Sequence, residues 1–235
     1  MILCVKIVFD NTYVCDCLNG GKKIKMIRQE HNDPRWMFPF VSYTTRLGDG
    51  KLPLIIQLHG AGERGHGGDE LCMVDGIGFS KAIANDNTHE CMVVMPQCPA
   101  DSFWAARVES LIKFIEQLKD EFDIDADRIS LTGFSMGGFG TWFTAMACPE
   151  LFSAIAPVCG GGMSWNAGVL NMPVWVFHGA ADPVVPVVYS DPMVDGMRNV
   201  GLDVKYSRID GVSHNVWDMT YDIELFEWLL SHKKA

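Results

Sequence analysis

The stretch Arg128–Trp142, RISLTGFSMGGFGTW, constrains the fold more than any other. Arg128 to Thr132 alternates and is rich in β-prone residues, so it reads as a short buried strand. Gly133-Phe134-Ser135-Met136-Gly137 follows, a G-x-S-x-G, and Gly138 to Cys148 then reads as a helix stopped by Pro149. A serine at the tip of a strand–turn–helix unit sits in strained backbone. The residues two before and two after it crowd together, which calls for glycine. Such a turn lifts the Ser135 hydroxyl off the sheet and points a helix N-terminus at whatever binds beside it. A glycine-rich turn with a bystander serine would look the same over these residues alone. The rest of the chain has to decide.

From residue 53 onward strand and helix signals alternate. Leu54–Leu58 and Cys91–Met95 read as buried strands, with a short helix over Phe79–Asn85 between them. Trp104–Phe122 is an amphipathic helix, with Val108, Leu111, Ile112, Ile115, Leu118 and Phe122 at helical spacing. Asp123–Asp127 reads as a turn. It lacks the glycine and glutamate that a calcium loop needs at its sixth and twelfth positions. Strands follow over Phe152–Val158, Val174–Phe177 and Asp203–Ile209, with helices over Val187–Val200 and Asp218–His232. This alternation predicts an α/β fold: a mostly parallel sheet, helices on both faces, and functional loops at the strands' C-terminal ends. Residues 1–52 are harder to read. Ile2–Phe9 and Trp36–Tyr43 are strand candidates, and Gly20-Gly21 and Gly48-Asp49-Gly50 are turns, which suits antiparallel hairpins at one sheet edge. With no linker or repeat, residues 1–235 are expected to form one domain, with 1–52 as its edge strands.

Ser135, Asp182 and His214 each follow a predicted strand and would gather at one end of the sheet. A serine hydroxyl is a poor nucleophile at neutral pH. A histidine that takes its proton and an aspartate that fixes the imidazole tautomer would activate it. The order Ser, Asp, His is that of the α/β-hydrolase arrangement. Asp210, four residues before His214, is the rival acid, but a carboxylate in the same loop suits Nδ1 less well. Leu54–Leu58 runs into His59-Gly60-Ala61-Gly62-Glu63-Arg64-Gly65. That glycine-rich loop lacks the lysine and serine of a phosphate cradle and fits an oxyanion loop better. The backbone N–H groups of Ala61 and Met136 are the candidate donors. His59 and His178 each open an H-G turn and read as structural. Glu63 and Arg64 either pair or stay solvated. Trp104, Phe134, Met163, Trp165 and Trp217 are candidate pocket-lining residues, with a place in the core as the alternative for each.

The blocks LHGAGERG, MPQCP followed by Trp104, RISLTGFSMGGFGTW, PVCGGG, VWVFHGAADPVVPV and DGVSHNVWDMTY together resemble α/β-hydrolase serine esterases. The group they resemble is the bacterial one labelled predicted peptidases, phospholipase/carboxylesterases and feruloyl-esterase-like proteins. The likeness runs from about residue 36 to the C-terminus. It implies a single-domain α/β-hydrolase fold, and the glycine-rich connection Cys159–Met172 is too short for a lid domain. It also implies a triad of Ser135, Asp182 and His214 and oxyanion donors at Ala61 and Met136. The expected activity is hydrolysis of short-chain or aromatic acyl esters, carbohydrate-linked ones included, through an acyl-enzyme. A peptidase of the same fold and an idle binding module are the alternatives.

Composition narrows the partners. The net charge of −10 argues against nucleic acid or an anionic membrane, which call for basic patches. A small-molecule or oligosaccharide ester is the expected substrate, without metal or cofactor. The eight cysteines show no zinc spacing, since Cys15-Asp16-Cys17 is not C-x-x-C. They read as reduced thiols. The opening residues read as a strand rather than a signal peptide, so a cytoplasmic location is expected.

Overall fold

The computed structural model describes residues 7–9, 12–19, 22–46, 48–85 and 89–234. Ten strands form one sheet: β1 (Ile7–Phe9), β2 (Thr12–Asn19), β3 (Lys22–His31), β4 (Phe40–Arg46), β5 (Leu52–Leu58), β6 (Cys91–Pro96), β7 (Ile124–Phe134), β8 (Ala154–Val158), β9 (Val174–Gly179) and β10 (Val204–Ile209). Their spatial order is β1-β2-β3-β4-β6-β5-β7-β8-β9-β10. The pairings from β6 through β5 to β10 are parallel. The first four strands add on antiparallel through β4 against β6.

Side-chain alternation puts a separate core on each face of this sheet. Leu54, Ile56 and Leu58 of β5 face the same core as Met92 and Val94 of β6 and Ile129 and Leu131 of β7. Helices α2 (Val108–Glu121), α3 (Met136–Ala147) and α4 (Asp191–Asn199) cover it with Leu111, Phe114, Trp142 and Met193. Ile55, Val93, Met95 and Phe134 point the other way. There α1 (Ser80–Asn85), α5 (Trp217–Thr220) and α6 (Ile223–Ser231) close over them with Ile83, Leu225 and Phe226, joined by Tyr221 between α5 and α6. Strands buried on both faces need continuous apolar runs, and β5, β6, β8 and β9 are buried along their whole length.

Several expected boundaries move. Trp36–Pro39 lies outside the strand, which runs Phe40–Arg46. The Trp36 ring packs instead on Phe40, Phe114 and Phe122. The expected turn over Asp123–Asp127 is mostly strand. β7 begins at Ile124, opposite Leu52, and shifts register before Ile129 pairs with Leu54. The long helix expected from Trp104 is a 3₁₀ turn over Trp104–Ala106 followed by α2. Likewise Val187–Val200 divides into a 3₁₀ turn over Val187–Tyr189 and α4. The closing helix breaks at Tyr221, and the Asp222 carboxylate caps α6 by accepting the Leu225 N–H. Of the expected Ile2–Phe9 strand, residues 2–6 lie outside the described residues. So does Gly20-Gly21, although Asn19 pairs with Lys22 on either side of it. The sequence reading missed β2 and β3.

Candidate active site

The parallel strands deliver the chemistry to their C-terminal ends. β7 ends at Phe134, and Ser135 follows with φ 54° and ψ −117°. A non-glycine residue there carries strain of roughly 1–3 kcal/mol, which the close packing around it holds in place. A Cβ at Gly133 would lie 2.5 Å from the Gly137 carbonyl oxygen, and one at Gly137 would run into the Leu58 carbonyl. The two glycines therefore let α3 start within one residue of the strand. That helix begins at Met136, two residues earlier than its apolar pattern suggests.

His214 lies between the other two residues. Its Nε2 is 2.9 Å from Ser135 Oγ, and its Nδ1 is 2.6 Å from Asp182 Oδ2. The remaining Asp182 oxygen accepts the Val184 and Val185 N–H groups at 2.8 and 2.9 Å. Burial alone would push the Asp182 carboxyl up. The bonds from His214, Val185 and Val184 outweigh it and hold the group below the usual carboxylate range. The ring of Trp217 stands edge-on to the His214 imidazole, with centroids 5.0 Å apart. Asp210 is elsewhere: its side chain is 95% exposed and meets Arg208.

The two histidines of the H-G turns, His59 and His178, are structural. His59 is buried. Its Nδ1–H donates to the Gly60 carbonyl at 2.6 Å and its Nε2 accepts the Cys98 N–H at 2.9 Å. Burial lowers its pKa to about 4, so the ring is neutral. His178 Nε2–H donates to the Val185 carbonyl, and its Nδ1 lies 2.7 Å from Ser190 Oγ. This braces the turn that presents Asp182.

The loop carrying Ala61 is held from several sides. Arg64 does not pair with Glu63. It donates to the Ala61 carbonyl at 2.9 Å and to the Ser102 carbonyl at 3.3 Å. The buried Gln97 side chain donates to the Glu63 and Glu70 carbonyls and accepts the Gly67 N–H. Met136 is the first residue of α3, so its N–H has no intrahelical acceptor.

Among the aromatic candidates, two corrections are needed. Trp104 is fully buried, donates its indole N–H to the His59 carbonyl, and supports the loop from beneath. Phe134 is buried against Trp217 and Tyr221. Neither offers surface to a bound molecule. Met163 is half-buried against the core, Trp217 is half-buried beside His214, and Trp165 is exposed.

Sequence reasoning missed Cys159. It is buried, adopts φ 41°, and its Sγ lies 3.3 Å from the Ser135 N–H. Its sulfur, an Asp182 oxygen and a His214 nitrogen all lie within 4.8 Å of one another. A thiophilic cation could use such a set, but both His214 nitrogens are already engaged by Ser135 and Asp182, and burial raises the Cys159 thiol to about 12. Only its position after a strand, in PVCGGG, could have drawn attention to it. Chemically, the assembly provides a hydroxyl with an imidazole nitrogen in reach and a carboxylate behind that imidazole.

Fold and elbow together define an α/β-hydrolase. The chain belongs to the phospholipase/carboxylesterase family, whose model matches residues 95–223, just over half of it. A crystal structure of a thermostable esterase is similar at TM-score 0.75 and 32% identity, covering 96% of this chain and 64% of that one. A poly(3-hydroxyoctanoate) depolymerase of Pseudomonas fluorescens is 25% identical over 179 residues, 65% of this chain and 63% of that protein. A bifunctional acetylxylan esterase/xylanase of Neocallimastix patriciarum is 35% identical over 78 residues, 33% of this chain and 11% of that protein. The chain thus spans less than two thirds of the length of each. Among the described residues no helix is long and apolar enough to cross a membrane.

Proposed function

We propose that this protein is a serine hydrolase of carboxylic esters. Ser135 attacks the ester carbonyl while His214 Nε2 takes its proton, and Asp182 holds the imidazole tautomer and stabilises the imidazolium. The Ala61 and Met136 N–H groups meet the developing oxyanion; one such donor is typically worth about 2.7–4 kcal/mol. The alcohol leaves with the proton from His214. Water, deprotonated by the same nitrogen, then releases the acid and restores Ser135.

The observation that carries this reading is the position of His214, within hydrogen-bond distance of Ser135 on one nitrogen and of Asp182 on the other. The names of the acetylxylan esterase and the depolymerase support an ester substrate. The first of them also favours an ester carried on a carbohydrate. The connection from β8 to β9 holds only a 3₁₀ turn over Ser164–Val169, which favours an open site and short-chain or aromatic acyl groups. We read residues 1–235 as one domain because β1–β4 continue the hydrogen-bonded sheet without a break in order. Ser135→Ala should lower kcat on p-nitrophenyl acetate by on the order of 10⁵–10⁶ with the circular dichroism spectrum unchanged. Near-normal turnover in that variant would overturn the assignment.

A further inference from the structure

A groove along α4 has a lining that the reaction itself does not use. It is a shallow, open hollow of about 420 Å³ between the 3₁₀ turn Ser164–Val169 and α4, and Trp165, Val188, Asp195 and Asn199 are among its lining residues. Gly196 makes this pairing of elements possible. A Cβ there would lie 2.5 Å from the Ser164 carbonyl, so only glycine lets the turn sit against the helix. Met193, Val194 and Met197 turn the other side of α4 into the core. Asp191, Asp195 and Asn199, spaced four apart, are left along the groove side.

The lining has the character of a recognition surface. Trp165 is 84% exposed, the most exposed of the large hydrophobic side chains among the described residues. An indole left in water is a flat apolar face without a partner. Beside it stand a carboxylate and a carboxamide. Asp191 is engaged by Tyr206 and Arg208, whereas Asp195 and Asn199 remain available to accept hydroxyl protons. No lysine or arginine lines the groove, which disfavours phosphate, sulfate or uronate. A flat apolar face flanked by hydroxyl acceptors, with no cation, suits a neutral sugar.

The N-terminal end of α4 is tied to the segment that follows β8. Ser190 Oγ donates to the Gly160 carbonyl at 2.7 Å, and the Tyr189 ring packs on Phe139 of α3. Gly160 follows Cys159, whose sulfur touches the Ser135 N–H. Trp165 is six residues on from Cys159, so their Cα atoms are no more than about 22 Å apart. A short oligosaccharide can span that distance.

We propose that this groove is a subsite for the carbohydrate part of the ester, with Trp165 stacking on a sugar ring and Asp195 and Asn199 accepting its hydroxyls. The proposal rests on the ester-hydrolase reading of Ser135. The test is calorimetric titration of Ser135→Ala protein with unesterified xylotetraose and cellotetraose. At least one should bind, and adding Trp165→Ala should weaken it about tenfold, as loss of a central aromatic contact typically does. Asp195→Ala should weaken it less. In the Ser135 enzyme, Trp165→Ala should lower kcat/KM for an acetylated xylo-oligosaccharide relative to that for p-nitrophenyl acetate. Failure of both sugars to bind, or equal affinity with and without Trp165, would overturn the subsite. Fluorophosphonate labelling of the wild-type protein reads the hydrolase assignment separately. Labelling without sugar binding rejects the groove alone, and sugar binding without labelling rejects the assignment of Ser135 alone.

Discussion

The two ends of the parallel sheet are made by the same strands and differ in what they can do. At the C-terminal ends stand Ser135 after β7, Asp182 after β9 and His214 after β10, linked by contacts of 2.9 and 2.6 Å. At the N-terminal ends of β9 and β10 lies a cavity of about 430 Å³, slightly larger than the groove by α4, lined by Met172, Asp203, Lys205, Trp228 and His232 among others. Two of its polar side chains, Lys205 and His232, have partners. Lys205 Nζ sits 3.2 Å from the Trp175 ring centroid and 3.3 Å from Glu224, and His232 Nδ1 lies 2.7 Å from the Trp228 carbonyl. Ser231 Oγ lies 3.3 Å from His232 Nδ1, but that hydroxyl donates to the Trp228 carbonyl at 2.7 Å. The difference teaches that volume does not locate reactivity. The C-terminal end is where loops leave the strands with strained turns and unpaired N–H groups that can be aimed.

Substitutions can break this comparison at either end. Asp182→Asn should cost on the order of 10⁴ in kcat, because an amide in its place favours the wrong tautomer of His214. Asp210→Asn should stay within about twofold, as exposed surface changes usually do. Comparing the two variants on p-nitrophenyl acetate checks this, and a larger loss in Asp210→Asn would move the acid. A smaller effect concerns stability. His59 and His31 have pKa values lowered to about 4, in both cases mainly by burial. Below an unfolded value of about 6.5 the unfolded chain takes up protons that the folded chain refuses. Stability should therefore be full above about pH 6.5 and fall continuously toward pH 4. Thermal melts across that window should show a falling Tm, and His59→Asn should flatten the slope. A Tm that rises on acidification would contradict the neutral rings. The smallest effect is expected at the N-terminal end. Lys205→Ala should leave kcat/KM within about twofold, and a loss of tenfold or more would connect that cavity to turnover.

How much was legible depended on where each signal came from. The strand–elbow–helix unit, the parallel strands and the order of Ser135, Asp182 and His214 could be read because each has a local cause: a continuous apolar run, a glycine pair or a strand end. The antiparallel edge was harder. Lys22–His31 mixes charged and apolar residues and gains its order from pairing with Thr12–Asn19 and Phe40–Arg46, which no local pattern announces. Trp36 was misread as strand because its apolar character serves an aromatic cluster. For Trp104 and Phe134 pocket and core stayed open alternatives because sequence gives neighbourhood but not side: both are buried. Cys159 went unread because its contact with Ser135 depends on a left-handed turn after β8.

The central claim is that Ser135 is a nucleophile made reactive by His214. Wild-type protein treated with a fluorophosphonate and digested should carry one adduct, on the peptide containing Ser135. Labelling should disappear in Ser135→Ala and fall by orders of magnitude in His214→Ala. An adduct on a different residue, or full labelling of Ser135 in His214→Ala, would contradict the account.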